Sequence, residues 1–190
     1  MKKIILTLFI LSLSGCVQYS LVPAKTTTGG GIQITPSIAW NKAPSQYNPG
    51  KNTEVWTADG QSLNQLVFVG GVSTGSPIFK QPNKNIPMPA FSSDMLPNEI
   101  EEMVETSIKN RYNGQVAVDT SNLRPAKFGD NRGFRFNVEY FTVNGLQTKG
   151  DVIASIKDDQ LYMIIFTAAG MHYYDKYIGE VEKLFASAAF

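Results

Sequence analysis

GFRFNVEYFTVNGLQTKGDVIASIKDDQLYMIIFTA, residues 133–168, holds three strand-forming segments separated by two turn signals. In residues 133–143 the apolar side chains Phe134, Phe136, Val138 and Tyr140 recur at every second position, the period of a strand buried on one face. Asn144-Gly145 follows, a pair that accepts positive φ at low cost and so favours a two-residue hairpin. Residues 146–157 read as the returning strand, and Asp158-Asp159 as the next turn. Residues 161–168 are almost continuously apolar, which predicts a strand covered on both faces. Three long strands joined by tight turns make an antiparallel meander.

Outward from the meander the period changes. From about Tyr173 the apolar residues Tyr174, Tyr177, Ile178, Val181, Leu184 and Phe185 recur at helical spacing and predict a closing helix. Upstream, Ile100, Met103, Val104 and Ile108 form one stripe of a second helix, spanning residue 97 to about 110. Pro97 suits its first turn, Ser93 or Asp94 suits a cap, and Gly114 its end. Glu99, Glu101, Glu102 and Glu105 crowd its early turns while Lys109 and Arg111 sit late, which complements the helix dipole. Four glutamates suggest metal binding or acid–base work only superficially, since no histidine or aspartate accompanies them, so they read as a solvated face.

Before that helix, Ile32, Ile34 and Ile38 alternate up to Trp40, as in a half-buried strand. A loop with Pro44, Pro49 and Gly50 leads to a short strand over 53–57, a turn at Asp59-Gly60, another strand over 65–72 ending near Gly70-Gly71, and later a short one over 115–119. A strand meander flanked in sequence by helices argues for an α+β fold, not a doubly wound parallel sheet.

The succession of a Trp-ending strand, a middle helix, a meander and a closing helix resembles the PsbP-like fold. That fold is an antiparallel sheet sandwiched by helices (α/β/α), shared by photosystem extrinsic proteins, a Ran-binding release factor and bacterial lipoproteins. EVWTADGQSLNQLVF, GFRFNVEY with GLQTKGDV, and LYMIIFTAAGMHYYDKYIGEVEKLFAS are similar to segments of a family of uncharacterised proteobacterial envelope lipoproteins. The resemblance covers residues 31–190. It implies a fold and an envelope address, and it implies no reaction.

The N-terminus supports the same address from its own chemistry. Lys2 and Lys3 precede ten apolar residues, 4–13, and then the small residues Ser14 and Gly15. That order describes a secretory signal peptide, and the run is too short for a helix to span a bilayer core, which takes about 20 residues. Leu13-Ser14-Gly15-Cys16 resembles the bacterial lipobox. The resemblance implies alkylation of the Cys16 thiol with diacylglycerol and cleavage between Gly15 and Cys16. Residues 16–30, with Pro23, a threonine run and Gly29-Gly30-Gly31, read as a flexible tether, and residues 31–190 as one globular domain. Val17 replaces the aspartate that commonly retains lipoproteins at the inner membrane of Gram-negative bacteria, which points to the periplasmic face of the outer membrane.

Cys16 is the sole cysteine, so the lipidated chain has no thiol and no disulfide and must rely on core packing. Loss of Lys2 and Lys3 takes 17 basic residues to 15, against 16 acidic ones. Near neutrality argues against a nucleic-acid partner.

The remaining polar features point to no catalytic, cofactor or metal site. His172 is the only histidine, and beside Tyr173, Tyr174 and Tyr177 it reads as the start of a packed helix. Gly70, Gly71 and Gly75 lack the spacing of a phosphate loop and read as a turn. Arg124, Lys127, Arg132 and Arg135 are able to hold an anionic ligand or lipid headgroup, but with Asp130 among them they read as solvated loop charges. The expectation is a membrane-anchored lipoprotein serving as a non-catalytic protein-binding or structural module of the cell envelope, with an envelope protein as partner. An envelope hydrolase and a carrier of a small apolar ligand are the alternatives.

Overall fold

The computed structural model describes residues 18–190, so Gly15, Cys16 and Val17 lie outside the described residues. Its frame is one eight-stranded, wholly antiparallel sheet. The strands are β1 (Ser20–Val22), β4 (Trp40–Lys42), β5 (Thr53–Thr57), β6 (Asn64–Ser73), β7 (Val118–Phe128), β8 (Asn131–Phe141), β9 (Gln147–Lys157) and β10 (Gln160–Ala169), in the order β1-β4-β5-β6-β10-β9-β8-β7. A small separate ribbon pairs β2 (Thr27–Gly29) with β3 (Ile32–Ile34). Two helices, α1 (Pro97–Arg111) and α2 (Tyr173–Ser187), lie on opposite faces.

The meander forms as its pattern predicts, and alternation sorts its side chains. On β8, Phe134, Phe136, Val138 and Tyr140 all enter the core beneath α1, with Ile100, Met103, Val104 and Ile108. On β10, Leu161, Met163 and Ile165 join that core, while Ile164, Phe166 and Ala168 join the core beneath α2. The neighbouring β6 divides likewise, with Val67 and Val69 on one face and Leu66 and Phe68 on the other. The central strands therefore have no solvent face, and the sheet carries two cores. Tyr177, Val181, Leu184 and Phe185 are the buried stripe of α2.

Residues 74–96 form no regular element, yet Ile78, Phe79 and Phe91 are buried beside α1 and complete that cover. Two backbone hydrogen bonds close the segment, Gly75 N–H to Phe91 O at 2.8 Å and Phe91 N–H to Ser76 O at 2.9 Å.

Several elements differ from the sequence expectation. The N-terminal stretch is not a tether from Ser20 onward, since β1 pairs with β4 at the sheet edge and β2–β3 folds back over the sheet. The glycine run is a tight turn, with φ +55° at Gly30 and +86° at Gly31. It lies so close to the sheet that a Cβ on Gly30 would come 2.7 Å from Phe68 Cβ, and one on Gly70 would come 1.7 Å from Gly30 O. Glycine serves here for close approach, not for flexibility. The predicted strand up to Trp40 is two strands, and Trp40 begins the second. Both tryptophans, Trp40 and Trp56, are 1% exposed. Gly70 and Gly71 do not terminate β6. They lie within it, beside a bulge opposite Leu161–Met163.

Neither Ser93 nor Asp94 caps α1. Leu96 holds the cap position, its N–H donating to Glu99 Oε2 at 2.6 Å. The β8–β9 connection spans five residues, with Thr142 N–H bonded to Leu146 O at 2.9 Å, whereas Asp158-Asp159 turns tightly with φ +50° and +58°. The short strand expected over 115–119 is the eleven-residue β7. Pro125 does not break it, because β7 is an edge strand and needs no donor on its outer side.

Val104 is fully buried on α1 while Glu102 on the same helix is exposed. Val104→Asp should cost about 3 kcal/mol or more, and Glu102→Ala should be nearly silent. A denaturant titration that ranks the two the other way round would place the wrong face of α1 inside.

Candidate functional site

A concavity of about 400 Å³ lies at one end of the sheet. It is assembled from four separate stretches. Gln61, Leu63 and Gln65 come from the approach to β6, Arg111 and Tyr112 from the end of α1, Tyr140, Val143, Leu146 and Thr148 from the β8–β9 hairpin, and Thr167 and Ala169 from the end of β10. Antiparallel pairing brings all these strand ends to one level.

Its floor is Tyr140, buried and packed with its ring tilted 47° against Tyr112 at 5.7 Å. Burial, reinforced by the neighbouring Tyr112, pushes the Tyr140 phenol far above its ordinary range, so it stays protonated at any physiological pH. Gln65 Nε2 donates to Thr167 Oγ1 at 3.2 Å in the same wall. Gln61 Nε2 is buried without a hydrogen-bond partner. Arg111, lying over the Phe79 ring at 5.5 Å, is the one formally charged side chain in the lining. Neither a carboxylate nor a histidine lines the cleft, and Ser62 is its only serine. What the walls offer is hydrogen-bond donors beside aliphatic surface, a surface for recognition.

Exposed apolar residues lie near this end of the sheet, and Val143 lines the cleft itself. Phe141 and Val143 are 57% and 62% exposed at the hairpin tip, and Met171 is 89% exposed at the turn into α2. A bond from Gly170 N–H to Gln147 O at 2.9 Å fastens that turn beside Phe141, whose register partner is Gln147.

The structure divides the basic group read from the sequence. Arg124 and Arg135 are cross-strand partners on the α2 face, while Lys127 and Arg132 pair with each other and are exposed on the opposite face. These are strand residues, not loop charges. Arg135 donates from both Nη atoms to Glu182 at 2.7 Å and from Nη2 to Asp151 Oδ1 at 3.0 Å, and it stacks 5.0 Å above Phe185. Arg124 approaches Asp151 at 3.9 Å, and the Tyr174 hydroxyl donates to Asp151 Oδ2 at 2.5 Å. Burial and then the bond to Asp151 raise the Tyr174 phenol well above its usual range. Glu182 is held low by Arg135, and Arg135 is raised in turn by Glu182. This network ties α2 to β7, β8 and β9, with the Arg135 guanidinium engaged by Glu182 and Asp151.

The other nominated residues fall apart in space. His172 is exposed at the start of α2, edge-on to Tyr173 at 5.2 Å, and does not line the cleft. The α1 glutamates gather no metal-binding group among the described residues. No helix of the described residues is long and apolar enough to cross a membrane.

No family model matches the chain, and no curated protein matches its sequence. The likeness lies in the architecture. The solution structure of cyanobacterial PsbP (CyanoP) from Synechocystis sp. PCC 6803 superposes with a TM-score of 0.53 at 8% identity, over 93% of this chain and 94% of that one. At that identity the likeness is one of fold alone. The chain has a PsbP-like fold, dominated by its sheet.

The depressed acidity of Glu182 sets a pH dependence. A folded pKa below the unfolded one contributes stability that is present at neutral pH and lost as pH falls through the folded value. Glu182→Gln should therefore lower the melting temperature at pH 7 and flatten its decline below about pH 5. Parallel acid limbs for the two proteins would show that the Arg135 pair contributes nothing to folding.

Proposed function

We propose that this chain is a bacterial lipoprotein, anchored through lipid on Cys16, whose folded domain binds an envelope protein partner. Support for the anchor comes from the charged start, the ten-residue apolar run and Leu13-Ser14-Gly15-Cys16. The observation that carries the binding role is a donor-lined cleft edged by the exposed Val143, at the end of the sheet where Phe141 and Met171 are also exposed. Apolar side chains standing together in water, bordering a concave surface, fit a protein contact. An apolar carrier would want an enclosed, aliphatic cavity, whereas this cleft is open and carries Arg111. The missing Asp after Cys16 favours the outer membrane, periplasmic face.

The anchor and the contact are separately testable. Cys16→Ser should abolish palmitate incorporation and leave the signal uncut, and labelling that persists would refute the anchor. A photo-crosslinking side chain at Val143 should trap a discrete protein adduct in native envelopes, and one at Leu123, exposed on the far edge strand β7, should not. Equal adducts from both positions would refute the cleft end as the contact surface.

A further inference from the structure

The start of β1 restricts how the domain can sit on a membrane. Four Cα–Cα steps, through Val17, Gln18 and Tyr19, lead from Cys16 to Ser20, the first residue of β1. Even fully extended they reach only about 14 Å, at about 3.5 Å per residue. A lipid on Cys16 thus holds the sheet edge close to the headgroups, with no spacer between.

The direction of approach follows from register. Ser20 faces Lys42, Lys42 faces Trp56, Trp56 faces Leu66, Leu66 faces Phe166, Phe166 faces Asp151 and Asp151 faces Asn137. Along that row β1 runs from the middle of the sheet toward the end where β8 reaches Phe141 and the cleft opens. The chain therefore enters from the side away from the cleft.

The surface beside that entry has its own character. Tyr19 stacks on Tyr47 at 6.5 Å, and Leu21, on the same side of β1 as Tyr19, is 71% exposed. Lys51 and Lys80 are exposed next to Tyr47, Lys80 Nζ lying 3.5 Å from Asn48 O. Neither lysine forms an ion pair among the described residues, whereas Lys42 nearby is paired with Glu54 at 2.7 Å. Exposed tyrosines and a leucine with unpaired lysines match a bilayer interface, where amphipathic rings sit at headgroup level and cations meet lipid phosphates.

We propose that the β1 edge docks on an anionic lipid surface, with Tyr19, Leu21 and Tyr47 among the headgroups and Lys51 and Lys80 against their phosphates. The cleft then faces away from the membrane, open to a partner. This orientation rests on the Cys16 anchor proposed above.

Once Cys16 is lipidated the chain has no other thiol, so single cysteines can be labelled cleanly. Leu21→Cys, Tyr47→Cys and Val143→Cys, all at exposed positions, are made in the full lipidated chain and labelled with bimane. Each is placed on vesicles of phosphatidylethanolamine and phosphatidylglycerol with brominated acyl chains. Emission should be lost at positions 21 and 47 and retained at 143. Changing Lys51 and Lys80 together to glutamate should restore emission at 21 while the protein still floats with the vesicles. Vesicle-bound, palmitate-labelled protein with no loss at 21 and 47, or equal loss at 143, overturns the orientation alone. Protein that takes no palmitate, and whose Cys16 itself reacts with bimane, overturns the anchor and the orientation together.

Discussion

The fold depends on strands that are apolar on both faces. β10 and β6 sit at the centre of the sheet, and each places alternate large side chains in opposite cores. A sheet with one wet face can be closed by a single layer, but this one needs two. α1 with residues 74–96 supplies the first cover, and α2 with the β2–β3 ribbon supplies the second. The second cover is closed by contacts between distant parts of the chain. Gln33 and Ala189 exchange two backbone hydrogen bonds of 2.8 Å, and Thr35 N–H donates to Ser187 Oγ at 2.9 Å. Residues 20–35 are therefore part of the domain because α2 alone leaves Trp56 and Phe68 uncovered.

The same requirement explains what was legible beforehand. Residues 133–168 carry their structure locally, through period, turn residues and continuous apolarity, so the meander and both helices could be read directly. The N-terminal ribbon could not. Its strands are three residues long, and its glycines resemble a linker in composition. Their purpose is contact with Phe68 and Gly70, nearly forty residues away, which no local pattern encodes. The length of β7 was hidden for a related reason, because whether Pro125 is tolerated within a strand depends on which strand ends up at the edge.

Charges were legible as a cluster but not as an arrangement. Arg124 and Arg135 belong to one face and Lys127 and Arg132 to the other, a division that follows only once β7 and β8 are known to pair. Asp151, 2% exposed, carried no sequence signal at all, yet it accepts from Arg135 and Tyr174 together. A buried carboxylate with those donors is satisfied, so the network fixes α2, although Arg135 Nε is buried without a partner. The cleft was equally invisible, being built from residues 61, 111, 140 and 167, which share no motif and meet only at a common strand level.

Antiparallel pairing gives the molecule two unlike ends. At one end the tight turn at Asp158-Asp159 is closed by the backbone itself, and the β1 edge carries Tyr19 and Tyr47. At the other, the five-residue β8–β9 loop and the turn into α2 expose Phe141, Val143 and Met171 at the end of the sheet where a donor-lined hollow opens. Exposed apolar side chains cost solubility, and on the described surface they gather at these two places, the β1 edge and the cleft end. Their concentration at the cleft end, with no packing role in either core, is what separates this end of the sheet from the elements that merely hold the fold together.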